Sequence, residues 1–134
     1  MFKLGDVVDK NKANSLSPIV LAFIGDAVYS LFVREKLALL SDSKTGELNK
    51  RAVSEVNACA QAEFIRTLLP ILSEEETAVF KRARNAKKST KAKTASVTDY
   101  HLSTGFEALV GYLYITGQYD RLNFLLNGGK NYED

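Results

Sequence analysis

Two acidic residues interrupt the most apolar segments of the sequence. Asp26 lies in IVLAFIGDAVYSLF, and Glu107 lies in FEALVGYLYI. An isolated carboxylate buried in such a segment must be paired, protonated, hydrogen-bonded or bound to a cation, because its desolvation is costly. Two apolar segments that pack together could bring both carboxylates to one site, where their repulsion would favour a divalent cation. Magnesium is the natural candidate, since it accepts one or two carboxylates, keeps several waters and takes further ligands from substrate phosphates.

Each acid also has a purely structural explanation. Thr104 and Glu107 have the T-x-x-E spacing of a capping box, in which the glutamate satisfies a backbone N–H group at the start of a helix. Asp26 could likewise cap a helix that begins beside it, although the Ser17–Pro18 pair offers a stronger helix start. The residue types alone therefore leave both the metal site and the two caps open.

A run of positive charge lies between these two acids in the sequence. Residues 81–93, KRARNAKKSTKAK, contain seven basic residues and no acid, which leaves 11 basic against 16 acidic residues in the rest of the chain. Such a segment binds polyanions, because each neutralised phosphate releases condensed counterions. It could therefore deliver a phosphate-bearing substrate to the carboxylates. The alternative is a solvated basic loop that has no ligand.

The elements that must position these residues are predicted to be helices. Apolar residues recur with helical periodicity, and Ser73 with Glu76 forms a second capping signal after Ser17–Pro18. The predicted helices run from Ser17 to Leu40, from Glu47 to Leu69, from Ser73 through Phe80 into the basic segment, from Val97 to Thr116 and from Tyr119 to Leu126. Residues 87–96 are predicted to form an exposed loop. Because no strand pattern is present, we predict an all-α fold in a single domain over residues 1–134.

Composition argues against several kinds of site. The chain has 134 residues, of which 46% are hydrophobic and 25% charged, as expected for one packed domain. A single cysteine, Cys59, and a single histidine, His101, argue against an internal disulfide, a cysteine-based zinc site and a Ser-His-Asp triad. We expect Cys59 to lie in the core and His101 to be a surface or structural residue. No segment suits a signal peptide or a membrane span, so we expect a soluble, cytoplasmic protein.

Three segments together resemble the ribonuclease III family. LAFIGDAVY, with Asp26 in Gly-Asp-Ala-Val, and FEALVGYLY, with Glu107, are similar to the two catalytic helices of that family. KRARNAK at residues 81–87, and the short chain without an appended double-stranded-RNA-binding domain, are similar to its small branch, Mini-ribonuclease III. The resemblance covers about residues 16–127, with the three motifs in the family's order.

The resemblance implies an all-α, homodimeric endonuclease of the ribonuclease III fold that cuts both strands of duplex RNA with magnesium. It implies that Asp26 and Glu107 are the catalytic, metal-holding acids and that Phe23 lies at the dimer interface. The residues expected to contact the RNA are Lys81, Arg82, Arg84, Asn85, Lys87 and Lys88, in a basic loop of about residues 81–95. Members of this branch mature the ends of the large-subunit (23S) ribosomal RNA precursor, which would be the substrate here. An accessory ribosomal protein is a further candidate partner.

The sequence also departs from the wider family pattern. Acids that the pattern places before the signature aspartate and the last glutamate are replaced here by Ile19, Ala22 and Thr104. A looser alignment puts Thr45 at another acidic position. Fewer carboxylates weaken the expectation of a second metal ion. These departures leave open a catalytically silent RNA-binding or ribosome-associated module on the same fold, whereas the retention of both remaining acids favours an enzyme.

Overall fold

The computed structural model describes residues 5–40, 44–86 and 96–130, and over these residues it contains helices and no strand. The α-helices are α1 (Lys10–Ser15), α2 (Pro18–Leu40), α3 (Thr45–Val56), α4 (Ala58–Leu68), α5 (Glu74–Arg84), α6 (Val97–Ile115) and α7 (Tyr119–Leu126), and a short 3-10 helix (Leu69–Ile71) follows α4. The predicted all-α fold is confirmed for this part of the chain. None of the helices described is long and apolar enough to cross a membrane.

Local sequence signals account for most helix ends. The Ser73 side chain accepts a hydrogen bond from the Glu76 backbone, and the Glu76 side chain accepts one from the Ser73 backbone, so the predicted capping box opens α5. The Ser96 side chain caps α6 by accepting a hydrogen bond from the backbone N–H of Asp99. Helix α2 begins at Pro18, where the missing N–H group costs nothing. These caps place the two apolar helices, α2 and α6, close to their predicted bounds.

The second predicted helix is wrong in one respect, because it is divided at Asn57. This residue has an extended backbone with φ −74° and ψ 161°, and it ends α3 and caps α4. Its side-chain oxygen accepts from the backbone N–H of Ala60 at 2.9 Å, and its amide nitrogen donates to the carbonyl of Val53 at 3.0 Å. Both helices contribute buried residues to the same core, so the apolar stripe that predicted one helix does not reveal the break. The short helix α1 was not predicted either.

Helix α6 lies at the centre of the fold, with 12 of its 19 residues buried. It packs most extensively against α2, and the two backbones touch at a pair of glycines. A Cβ atom on Gly25 would lie 1.7 Å from the carbonyl oxygen of Glu107, and one on Gly111 would lie 2.1 Å from the carbonyl oxygen of Leu21. No side chain fits at either position, so glycine is what allows this close crossing.

Polar contacts fasten α5 to its neighbours. The buried Glu76 carboxylate accepts from the Arg121 guanidinium of α7 at 2.8 Å. Burial alone would raise the pKa of Glu76, but the hydrogen bonds from Arg121 and Ser73 outweigh it and hold that pKa below its ordinary value. The Tyr112 hydroxyl of α6 donates to Glu75 at 2.7 Å, and burial, followed by this neighbouring carboxylate, raises the pKa of Tyr112 to about 12. These contacts hold α5 against α6 and α7.

Candidate functional site

Asp26 and Glu107 line one open cleft of about 380 Å³. The cleft lies where α2 and α6 cross, beside the junction of α3 and α4. Its lining residues are Ile19, Ala22, Phe23 and Asp26 from α2, Val56, Ala58 and Gln61 from α3 and α4, and Tyr100, Ser103, Thr104 and Glu107 from α6. The two acids therefore lie in one cleft of a single chain, as the sequence predicts.

The glycine crossing explains why the two acids meet. Gly25 abuts the backbone carbonyl of Glu107, and Asp26 is the next residue along α2. The contact point of the two helices is thus also the point at which each helix carries its acid. A bulkier residue at position 25 would separate the helices and with them the two carboxylates.

The predicted burial of both acids is only partly correct. Asp26 is exposed, and Glu107 is half-buried. Asp26 follows the buried Ala22 by four residues, so it lies on the same side of α2, and it is exposed because it opens into the cleft. The expected desolvation cost therefore does not apply to Asp26 in the single chain.

The two capping alternatives are wrong. Helix α2 begins at Pro18 and α6 begins at Val97, so both acids lie in the interior of a helix rather than at its start. The Thr104 hydroxyl does not cap a helix start but donates to the carbonyl of Tyr100 at 3.0 Å, a bond of the helix interior. The placement of the two acids consequently needs another explanation, and the shared cleft offers one.

The positions that depart from the wider family pattern also face this cleft. Ile19, Ala22 and Thr104 line it, whereas Thr45 is exposed at the start of α3 and does not. Across residues 5–40, 44–86 and 96–130, no group of three or more His, Cys, Asp or Glu side chains could hold a metal ion. Two carboxylate side chains with hydroxyl groups nearby are hard oxygen donors, which suit one magnesium ion that retains water ligands.

A buried polar pair in the cleft wall was not predicted from the sequence. The Ser103 hydroxyl of α6 donates to the side-chain oxygen of Gln61 on α4, and both residues are buried. The side-chain nitrogen of Gln61 has no hydrogen-bond partner among the residues that the structure describes. Gln61 precedes the buried Ile65 by four residues and Leu68 by seven, and this helical spacing is the signal that could have placed it on the apolar side of α4.

The described part of the basic segment lies at the end of α5. Lys81 and Arg82 are exposed, and the Arg82 guanidinium donates to Asn14 of α1 at 3.2 Å. Arg84 and Asn85 line a second open cleft, of about 480 Å³, with Thr98, His101 and Leu102 as its other lining residues. Lys87 and Lys88 lie outside the described residues, as does most of the predicted loop of residues 87–96.

The two clefts lie on different faces of α6. Thr98, His101 and Leu102 line the basic cleft, whereas Tyr100, Ser103, Thr104 and Glu107 line the acidic one. At 3.6 residues per turn these two sets are about half a turn apart. The described basic residues therefore do not line the cleft of the two acids within one chain, although the same helix connects the two surfaces.

The single cysteine, Cys59, and the single histidine, His101, differ in their exposure. Cys59 is exposed, so the prediction that it lies in the core is wrong. It is two residues before the buried Gln61, which on a helix turns it to the opposite face. His101 is half-buried in the wall of the basic cleft, and its Nδ1 atom has no hydrogen-bond partner in the described part of the chain.

Phe23 is an exposed aromatic residue at the rim of the acidic cleft. This residue is 80% exposed although it belongs to an apolar helix. Val20, Ala27 and Leu31 are also exposed, and together with Phe23 they form one stripe along α2 at helical spacing. One face of α2 is thus packed in the core, and the other presents apolar side chains to solvent.

Comparison with known proteins places the chain among nucleases. It matches the family model described as Ribonuclease III domain over residues 19–118. It is 46% identical over 121 residues to a protein named Mini-ribonuclease 3 from Thermoanaerobacter sp. (strain X514), covering 90% of this chain and 85% of that protein. It is 49% identical over 109 residues to Mini-ribonuclease 3 from Brevibacillus brevis, covering 81% of each. A crystal structure of a Fusobacterium nucleatum protein is similar with a TM-score of 0.78 and 30% identity, over 84% of this chain and 90% of that one.

Proposed function

Because the chain belongs to the Mini-ribonuclease III branch of the ribonuclease III family and is an endoribonuclease, we propose that it cuts duplex RNA at the cleft that holds Asp26 and Glu107. The family acts on double-stranded RNA and generally depends on a divalent metal. The observation that carries the proposal is the presence of these two acids, which are 81 positions apart in the chain, in the wall of one cleft. A catalytically silent module would not require that pairing.

Magnesium is the proposed cofactor, and the Asp26 and Glu107 carboxylates would hold it. When bound, the ion would supply an activated water and stabilise charge at the oxygens of the phosphodiester. The two carboxylates would orient this chemistry from α2 and α6, and the Thr104 hydroxyl, on the same face of α6 as Glu107, would lie at the edge of the site. With two acids in the cleft, one ion per site is the simplest composition.

Duplex RNA would be bound through its backbone. We assign phosphate contacts to Lys81, Arg82, Arg84, Lys87 and Lys88, and a sugar or base-edge contact to Asn85. An A-form duplex has a deep, narrow major groove that side chains cannot easily read, so shape, phosphates and 2′-hydroxyl groups dominate recognition. The proposed substrate is the precursor of large-subunit (23S) ribosomal RNA in the cytoplasm, with an accessory ribosomal protein as a candidate partner. The support for this target is the likeness to the Mini-ribonuclease 3 relatives.

The working form is proposed to be a homodimer. The exposed stripe of Val20, Phe23, Ala27 and Leu31 is apolar, and exposed apolar stripes of this kind are typical of protein interfaces. Because Phe23 also lines the acidic cleft, a second copy on this stripe would extend the wall of each site. Two-fold symmetry would then provide one site for each strand of the duplex.

The proposal is tested by incubating the purified protein with a long RNA duplex and with the matched single strands, with and without magnesium. We expect cleavage of the duplex only, and only with magnesium. Asp26→Asn should reduce this cleavage by about a hundredfold or more, since it removes a charged metal ligand, while duplex binding without metal is retained.

Asp120→Asn is the matched control, because Asp120 is exposed on α7 and lines neither cleft. Asp26→Asn protein that still cuts in magnesium would overturn the assignment of the site. Wild-type protein that binds the duplex and does not cut it would favour the silent module.

A further inference from the structure

Gln61 is the most deeply buried polar side chain of the described core, with 1% of its surface exposed. Its side-chain oxygen accepts a hydrogen bond from Ser103, whereas its side-chain nitrogen has no partner among the described residues. A buried donor without a partner is unfavourable, and methionine or leucine would fill the same space without that cost. The hydrogen bond from Ser103 thus accounts for the amide oxygen of Gln61 but not for its amide nitrogen.

The position of the glutamine links it to the two acids. Gln61 and Ser103 line the same cleft as Asp26 and Glu107. Ser103 precedes Glu107 by four residues on α6, so their side chains share one helix face. Among the described residues that line this cleft none is lysine or arginine, so the unused N–H group is a neutral donor beside two anions.

The chemistry of that donor favours one part of the RNA. Phosphate oxygens are bound most strongly by cationic donors, and this wall offers none within the described chain. A ribose 2′-hydroxyl is neutral, accepts a hydrogen bond from an amide, and distinguishes RNA from DNA. The hydrogen bond from Ser103 holds the amide oxygen, which leaves the amide nitrogen for such an acceptor.

We propose that the Gln61 amide, held in place by Ser103, donates a hydrogen bond to a ribose 2′-hydroxyl group of the strand bound in the acidic cleft and thereby helps to select RNA over DNA. The inference rests on the proposed function of this cleft. It makes Gln61 a residue that determines specificity, and it requires the buried, unpaired N–H group to turn into the cleft when the strand binds.

The experiment combines a variant with modified substrates. Gln61→Met keeps the volume of the side chain and removes the amide. The substrates are a set of duplex RNAs, each of which carries a single 2′-deoxynucleotide at a different position around the mapped cleavage site. At one of these positions the deoxynucleotide should lower kcat/KM of the wild type about three- to tenfold, which corresponds to the loss of one neutral hydrogen bond. Gln61→Met should show the same loss on the all-ribose duplex and no further loss at that position, because both changes remove one interaction.

Thermal unfolding separates this role from a structural one. Because Gln61→Met also removes the acceptor of the buried Ser103 hydroxyl, stability is measured in the double variant Gln61→Met/Ser103→Ala, which removes both ends of that hydrogen bond and should have a melting temperature equal to or above that of the wild type. A purely structural glutamine predicts a lower melting temperature together with a normal dependence on the 2′-hydroxyl group. Gln118→Met is the matched control, since Gln118 lines neither cleft, and it should keep the ribose dependence of the wild type.

The outcomes distinguish the two proposals. Wild-type protein that fails to cut the all-ribose duplex overturns the proposed function, and this inference with it. This inference alone is overturned if the wild type cuts the duplex but the loss of kcat/KM from Gln61→Met multiplies with the loss from deoxyribose at every position. If the loss of kcat/KM from Gln61→Met fails to add to that of a phosphorothioate substitution, but does add to that of a deoxyribose, the amide contacts a phosphate oxygen. That result would also overturn this inference.

Discussion

The positive charges at the end of α5 point in different directions. The Arg82 guanidinium donates to Asn14 of α1, whereas Arg84 lies over the Phe80 ring at 5.6 Å and lines the cleft that contains His101. Residues two apart on a helix are separated by about 200°, which accounts for the divergence. If both arginines contact RNA, they must reach different phosphates along the duplex. Each residue can therefore be tested separately.

We expect Arg82→Gln and Arg84→Gln each to weaken duplex RNA binding. Each should lower the slope of log K against log salt concentration by about 1, because each phosphate that is no longer neutralised releases one counterion fewer. The measurement is fluorescence anisotropy of a labelled duplex at several salt concentrations without magnesium. Lys130→Gln is the control, since Lys130 is exposed and lines neither cleft. A slope that neither arginine variant changes would remove the end of α5 from the RNA-binding surface.

The crossing of α2 and α6 is the pairing of elements on which the site depends. Gly25 and Gly111 let the two backbones touch, and this contact carries Asp26 and Glu107 into one cleft. An interface built on backbone contact tolerates no added atom, because neither helix can yield locally as a flexible side chain can. Stability and the geometry of the two acids are consequently linked at this crossing.

Gly25→Ala should lower the free energy of unfolding by about 1–3 kcal/mol, as overpacked core variants do, and should reduce cleavage more than it reduces duplex binding. Gly46→Ala is the matched control, because a Cβ there meets no atom within 4 Å, and in helix α3 it should stabilise by up to about 1 kcal/mol. Chemical denaturation and the cleavage assay measure both effects. Wild-type stability in Gly25→Ala protein would show that the helices are not in backbone contact.

For the molecule as a whole, the apolar stripe on α2 is a feature without a structural role in the described part of a single chain. Phe23 is 80% exposed and Leu31 is 65% exposed, although both belong to a helix whose other face is in the core. Such exposure is costly in water. A second copy of the chain would cover it and would bring a partner surface to the rim of the acidic cleft.

We expect the wild-type protein to sediment as a dimer and Phe23→Ser to shift it to a monomer with less cleavage, because the substitution removes the aromatic side chain of the stripe, which is also its most exposed large apolar group. Analytical ultracentrifugation measures the change, and circular dichroism checks that the helices are retained. Leu39→Ser is the matched control, since Leu39 is 77% exposed on the same helix but lies off the stripe. A wild-type monomer at assay concentrations, with full cleavage, would contradict the proposed dimer.

The helices and the identity of the two acids were predictable from the sequence because both depend on local patterns. Capping residues such as Ser73 act within three positions, and an acid in an apolar run is visible without coordinates. The break at Asn57 was not predictable in this way, since the apolar stripe continues through it. The exposure of Cys59 was missed because a helical wheel does not show which face the core will use.

Local sequence patterns are sufficient to establish the helices and the chemistry available on them: an all-α chain, two carboxylates in apolar segments and one basic segment. Which of these groups meet depends on how the helices pack. Asp26 and Glu107 share a cleft because two glycines allow α2 and α6 to touch, whereas the described basic residues lie on another face of α6. Packing also brings Gln61 and Ser103 together across 42 positions of sequence. Such contacts follow from the way helices cross, and crossing is set by long-range packing that no local pattern encodes.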